Sequence, residues 1–276
     1  IIKGVILTLI RIFILFYLVG YTYYHTYPLS KIIYIDKTIT SKRRFYDYME
    51  CNIPFVENIN LQISQHVNTD LLMNKYPNKI ITVLESFTKI NPYKLPIPQK
   101  MKLKDFIQNT IINNKNTFYL KSEDEYNFLG ELGLYDIIVN CFSRFICPSS
   151  YCPFLKEEIA FWYGPRNSIT AFHYDTDHTN ILYVIEGKKK IYLIHPKYDK
   201  YMKGYRNIQK GASWSGSNIN EIIDNTGIKH ESIILEKNQI LNIPRYWWHA
   251  VINLEATMAV TYHYYTFPHL FCNSFA

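Results

Sequence analysis

Several absences narrow the chemistry open to this 276-residue chain. Cysteine is scarce, with five residues (Cys51, Cys141, Cys147, Cys152 and Cys272) and no C-x-x-C pair, so a structural zinc site is not indicated. Cys147 and Cys152 are spaced for a small-loop disulfide in an oxidising lumen, and unpaired thiols in a reducing compartment fit equally well. There is no N-x-[ST] sequon, which weighs weakly against lumenal glycosylation. No glycine-rich stretch resembles a phosphate-cradling loop, and no G-x-S-x-G element supports serine hydrolase chemistry. Internal repeats are absent, which removes solenoids and propellers.

What is present describes a folded protein. A hydrophobic fraction of 48% and an aromatic fraction of 16% are too high for a disordered chain. The length supports one sizeable core with a small accessory region. A net charge of +7 favours acidic partners such as nucleic acid or a membrane surface. The lysines are scattered, however, and the dense basic runs are only Lys42-Arg43-Arg44 and Lys188-Lys189-Lys190.

Residues 4–19 form a nearly continuous apolar run, followed by tyrosines at 22–24 that resemble an interfacial belt. Arg11 opposes insertion by about 2.5–3.5 kcal/mol, while the Val, Leu, Ile and Phe residues favour it by roughly 4–7 kcal/mol in sum. The balance predicts a single-pass transmembrane anchor over residues 1–24 and hence a membrane localisation, with orientation undecided. G-Y-T-Y-Y offers no A-x-A-like cleavage site for a signal peptide.

Residues 25–150 read as a mixed α/β region packing on the core. Strands are expected at 32–35, 52–57 and 77–84, and helices at 41–50, 71–75 and 101–112, the last with Leu103, Phe106 and Ile107 on one face. Residues 128–148 read as helix followed by loop. From Ile159 onward the pattern becomes short apolar strands at regular spacing, which predicts a sandwich or barrel over residues 151–276. Glu186-Gly187 reads as a hairpin turn between two of these strands. The polar segment 197–229 is too long for a plain connector and fits either the rim of the site or simple disorder about equally.

Three residues within the strand series carry chemistry. His173 and Asp175 form an H-x-D pair, and residues two apart on a strand share a face. A further imidazole, His249, closes the run N-I-P-R-Y-W-W-H. Two histidines and one carboxylate make the facial triad that holds non-haem Fe(II) with positions left open. The plain alternative is a hydrogen-bonded His–Asp pair. Asp177 is a competing carboxylate, while His178, His195 and His230 read as structural or surface residues. Lys189 shares an apolar strand face with Ile191 and Leu193 and has no acid on that face, so it needs an anion or must snorkel to the rim. An H-x-D on an early strand meets a histidine on a late one only if the sheet folds onto itself, as in a double-stranded β-helix (jelly-roll).

The combination T-x-x-H-x-D, Asn180, G-x-K and I-P-x-Y-W-W-H resembles the Jumonji-C and cupin-like family of 2-oxoglutarate dioxygenases, in particular its asparaginyl-hydroxylase branch, over roughly residues 160–265. The resemblance implies that His173, Asp175 and His249 bind Fe(II) and are catalytic. It implies that Lys189 and Thr170 hold the distal carboxylate of 2-oxoglutarate, with Asn180 near by and Thr261 standing where the family has an asparagine. The chain departs from the pattern in three ways: one extra residue between Asp175 and Asn180, His263 where an aromatic is common, and a Thr170 whose parity differs from that of His173 unless the strand bends. The implied function is hydroxylation of a macromolecule, most consistently a protein side chain laid across the barrel mouth. A tRNA-modifying hydroxylase, a protein demethylase and a non-catalytic cupin-like metal-binding module remain alternatives, and the sequence leaves oligomeric state open.

Overall fold

The computed structural model describes residues 6–15, 17–18, 32–35, 53–85, 98–115, 118–123, 128–142, 155–176, 179–202, 204–207, 212–225 and 227–266. Fifteen strands among them make two sheets, and the fold is mainly β. Five strands precede the barrel: β1 (Ile33–Ile35), β2 (Phe55–Asn58), β3 (Ile80–Glu85), β4 (Gln99–Lys102) and β5 (Phe118–Glu123). The barrel strands are β6 (Leu155–Gly164), β7 (Ile169–Asp175), β8 (Thr179–Glu186), β9 (Lys188–Ile194), β12 (His230–Glu236), β13 (Gln239–Ile243), β14 (Trp248–Asn253) and β15 (Thr257–Thr266). Two more, β10 (Gly204–Asn207) and β11 (Ala212–Ser215), lie in the segment joining β9 to β12.

The strand orders are β1-β2-β13-β8-β15-β6-β5-β3-β4 in the larger sheet and β10-β11-β7-β14-β9-β12 in the smaller. From β6 to β9, and again from β12 to β15, each strand lies in the opposite sheet from its predecessor. That alternation is the double-stranded β-helix expected from the sequence. It also corrects the hairpin at Glu186-Gly187: β8 and β9 do not pair, and the turn carries the chain between sheets. Gly187 makes the turn at φ +78°, and a Cβ there would sit on the Ala256 carbonyl.

Strand periodicity explains the layers. Leu182 and Val184 of β8 point between the sheets with Ile191, Leu193, Ile233, Leu235 and Trp247. The alternate residues Ile181, Tyr183 and Ile185 pack outward, beneath Phe106, Phe128, Ile138 and Phe142 of the helical segments. Buried on both faces, β8 therefore reads as a continuous apolar run. The outer face of the smaller sheet packs Phe172, Tyr174, Trp248 and Ala250 against Ile219 and Ile222 of the short helix Ile219–Ile223.

In the N-terminal region, the expected helix at 101–112 begins only at Leu103, because Gln99–Lys102 pairs with β3. Its second half, Ile107–Ile112, is wound as a π-helix. The helix at 41–50 and the cysteine pair 147/152 lie outside the described residues. Residues 128–148 yield two short helices, Phe128–Glu131 and Tyr135–Cys141.

The transmembrane anchor is corrected. No helix among the described residues is long and apolar enough to cross a membrane. Residues 6–15 are helical, a rise of about 15 Å where a hydrocarbon core needs about 30 Å, and Arg11 sits within them. The remainder of 1–24, apart from residues 17–18, lies outside the described residues. The expected single-pass membrane localisation is therefore not supported.

Candidate metal and cosubstrate site

β7 and β14 are antiparallel neighbours, and their register sets His249 directly opposite His173. The ligating atoms of His173, Asp175 and His249 all lie within 4.8 Å of one another, the one such cluster of acidic, histidine or cysteine side chains among the described residues. His173 Nε2 stands 3.9 Å from Asp175 Oδ1, and His249 Nε2 stands 3.6 Å from Asp175 Oδ2. Both rings are held from behind. His173 Nδ1 donates to the Ala171 carbonyl at 2.9 Å, and His249 Nδ1 donates to the Trp247 carbonyl at 3.0 Å. Those bonds fix the tautomer in which each Nε2 lone pair faces the carboxylate.

Electrostatics agree with that tautomer. Burial, aided by the neighbouring His249, pushes the His173 pKa down to about 3, so the imidazole is neutral at neutral pH. Burial works to raise the Asp175 pKa, but the two imidazoles, His263 and Asn180 outweigh it and hold the carboxyl below its usual range. Asn180 Nδ2 donates to Asp175 Oδ2 at 2.6 Å, while its buried Oδ1 has no hydrogen-bond partner. Two imidazoles and one carboxylate make the donor set that suits a divalent transition metal.

At the other end of β14 lies a cleft lined by Lys189, Thr170, Asn253, Val251, Tyr119 and Trp162, among others. Lys189 is 7% exposed, and its ammonium donates to Asn253 Oδ1 at 3.0 Å. Burial pushes its pKa down to about 8, and no carboxylate among the described residues pairs with it. An amide oxygen is a weak match for a buried ammonium, and an incoming carboxylate is a strong one. Asn253 is itself immobilised, donating through Nδ2 to the carbonyls of Gly164 and Pro165 and to Ser168 Oγ. A Cβ at Gly164 would come within 2.8 Å of Ser168 Oγ, so glycine is what allows this close approach.

Thr170 reaches the cleft through an irregularity. His249 faces His173 and Val251 faces Thr170, so two residues of β14 span three of β7. The bulge reverses the parity, and Thr170 and His173 share the inner face. Of the other sequence-derived cosubstrate candidates, Asn180 lies against Asp175, and Thr261 Oγ1 accepts from the Trp162 indole N–H at 3.0 Å. Neither lines the lysine cleft.

Asn253, Trp162 and Tyr119 were not legible as site residues. Asn253 had a usable signal, since it lies four residues after His249 and so shares its strand face. Tyr119 had none, because β5 reaches the cleft only through its pairing with β6. Asp177 and His178 lie outside the described residues; His195 accepts from Lys197 N, and His230 packs edge-on against Tyr192. The described residues of the segment 197–229 include β10 and β11, which extend the smaller sheet beside the triad.

Residues 62–269 match the family model described as "Cupin-like domain". Among curated proteins, the chain is 30% identical over 147 residues to the Lysine-specific demethylase JMJ30 of Arabidopsis thaliana, covering 50% of this chain and 33% of that protein. It is 27% identical over 195 residues to JmjC domain-containing protein D of Dictyostelium discoideum, covering 62% and 42%. It is 27% identical over 108 residues to HSPB1-associated protein 1 of Bos taurus, covering 36% and 22%. The matched segments thus span less than half the length of these relatives.

Proposed function

The chain belongs to the cupin-like domain family, whose JmjC members generally use Fe(II) and 2-oxoglutarate, and from that premise we propose that it is an Fe(II)- and 2-oxoglutarate-dependent dioxygenase that hydroxylates a protein side chain. The observation that carries this reading is the triad, in which two Nε2 lone pairs face one carboxylate and each ring is hydrogen-bonded from behind. His173, Asp175 and His249 would hold the metal from one side and leave the other open. When bound, Fe(II) and 2-oxoglutarate supply oxygen activation coupled to oxidative decarboxylation, with succinate as the co-product.

The protein's own residues orient and shield. Lys189 neutralises the distal carboxylate of the cosubstrate, and its partial desolvation makes that pairing strong. Thr170 adds a hydroxyl on the same face of β7, while Asn253 fixes the ammonium in place. Trp162 forms an apolar wall, held by Thr261 on one side and by stacking with Tyr119 on another. Asn180 donates to Asp175 and helps hold its carboxyl below the usual range, ready to ligate without first losing a proton.

The decisive experiment is 2-oxoglutarate turnover by Fe(II)-reconstituted protein, with succinate quantified. No succinate above the level of a His249→Ala control would sink the oxygenase reading and leave the metal-binding module. One relative is named a lysine-specific demethylase, and demethylation uses the same C–H oxidation on an N-methyl group. Mass spectrometry of a peptide library separates the two outcomes, gain of an oxygen or loss of a methyl. The charge of +7 favours tRNA as the rival substrate. Tight tRNA binding that collapses with salt, with no peptide oxidised, would replace the protein assignment.

A further inference from the structure

The segment joining β9 to β12 does more than border the site. It folds back so that β11 pairs with β7 and extends the smaller sheet on the side away from β14. The register sets Ala212 opposite Asp175 and Trp214 opposite His173. Without this strand β7 would be an edge, and the His173 ring would have a lateral neighbour only on the β14 side.

Trp214 fills that second side. Its ring lies nearly parallel to the His173 imidazole, with centroids 4.3 Å apart and an interplanar angle of 15°. The His249 ring flanks the other side at 4.1 Å, tilted by 52°. The one hydrogen bond behind His173, to the Ala171 carbonyl, still lets the imidazole pivot about that contact. A flat indole against one face removes the pivot, and Nε2 is then aimed at the metal position before any metal arrives.

β11 is built to deliver this one side chain. Ser213 and Ser215 flank Trp214 and point to the opposite face, where both are buried. Ser215 Oγ donates to the Met202 carbonyl and accepts from Ser217 N, which pins the strand. Coordination draws electron density out of an imidazole ring, so a π-rich neighbour stacks on it more favourably when metal is bound. By linkage, the stack then favours binding of the metal.

We propose that Trp214 is a positioning residue that holds the His173 ring in its ligating plane, so that stacking and metal affinity are coupled. The inference rests on the metal reading of the triad, and the test separates the two. The wild-type chain, W214A and W214F are titrated with Mn(II), free ion being followed by electron paramagnetic resonance and tryptophan emission by fluorescence. Outer-shell changes of this kind typically cost about 10–100-fold in metal affinity. W214A should lose affinity in that range, and W214F should recover most of it. Mn(II) should quench wild-type emission, and the quenching should diminish in W214F by the share of the Trp214 indole, the other three tryptophans remaining. The metal-free melting temperatures check that the variants fold. W214A binding Mn(II) as tightly as wild type would overturn the inference, as would W214F binding as weakly as W214A. Should W214A fail to fold, undiminished quenching in W214F overturns it. A wild-type chain that binds no Mn(II) overturns both the inference and the metal reading.

Discussion

The two ends of β14 are finished to different degrees. At His249, each imidazole has a carbonyl behind it and Asp175 accepts from Asn180, with one direction left open. At Asn253, four residues on and roughly 13 Å along the strand, a buried ammonium has a single amide oxygen for company. The first end needs a cation to complete it and the second needs an anion. On the proposed reading a metal completes the first end, and a dicarboxylate cosubstrate would reach from that metal to Lys189 along one strand face.

The largest expected effect breaks the His249 end outright. Asp175→Ala removes the only carboxylate of the triad and leaves two buried imidazoles facing an empty corner. Metal binding, read by calorimetry with Mn(II), should fall at least about 100-fold, and succinate formation should vanish. The Lys189 end should be untouched, with the apo protein folding normally. Retention of wild-type metal affinity in Asp175→Ala would place the metal elsewhere.

Lys189→Met sharpens the contrast from the other side. A charge-assisted hydrogen bond is worth about 1.5–3 kcal/mol, so the KM for 2-oxoglutarate should rise roughly 10–150-fold. Mn(II) affinity should not change, because no triad atom touches the lysine. Methionine also relieves a buried charge, so the metal-free protein should melt at a higher temperature than wild type. A parallel loss of metal affinity would mean the two ends are one unit.

The sequence showed these ends unequally, for physical reasons. His173, Asp175 and His249 were legible because a metal needs particular residue types and because H-x-D parity is a local property. Lys189 was legible because a charge on an apolar face is a local contradiction. Thr170 was not placeable by parity, since the bulge that turns it inward is visible only in the pairing with β14. The hairpin at Glu186-Gly187 failed for a similar reason: the turn residues are right, but which sheet each strand joins is decided by distant partners. Trp162 read as a generic aromatic, and Trp214 as part of a rim wall over the cleft, until their cross-strand neighbours were known. At the N-terminus, composition pointed to a spanning helix, and no helix among the described residues is long and apolar enough to be one.

Acidity distinguishes the ends more gently. Lys189 has a folded-state pKa of about 8, below its ordinary value of 10.5. Between those values the unfolded chain binds more protons, so stability of the ligand-free protein should rise with pH across that window. Binding of a dicarboxylate favours the ammonium and raises its pKa, so 2-oxoglutarate affinity should fall as pH climbs past about 8, by up to about tenfold per unit. The opposite signs are the signature of this lysine, and both trends should be absent in Lys189→Met. Equal pH slopes in the two proteins, measured by calorimetric titration of 2-oxoglutarate and by thermal melts, would assign them to other groups.

The smallest effect on the cosubstrate should come from Asn253→Ala, and it distinguishes charge from placement. The substitution leaves the Lys189 ammonium in the cleft and removes the oxygen that holds it. It also strips the donor from the carbonyls of Gly164 and Pro165 and from Ser168 Oγ. Leaving such buried groups without partners costs about 1–3 kcal/mol in stability, so the melting temperature should fall clearly. The KM for 2-oxoglutarate should rise only a few-fold, well short of the Lys189→Met effect, because the attraction survives and only the aim is lost. Mn(II) affinity should stay at the wild-type level, since His249 is anchored separately through the Trp247 carbonyl. An Asn253→Ala KM as high as that of Lys189→Met would show that the amide, not the ammonium, selects the anion.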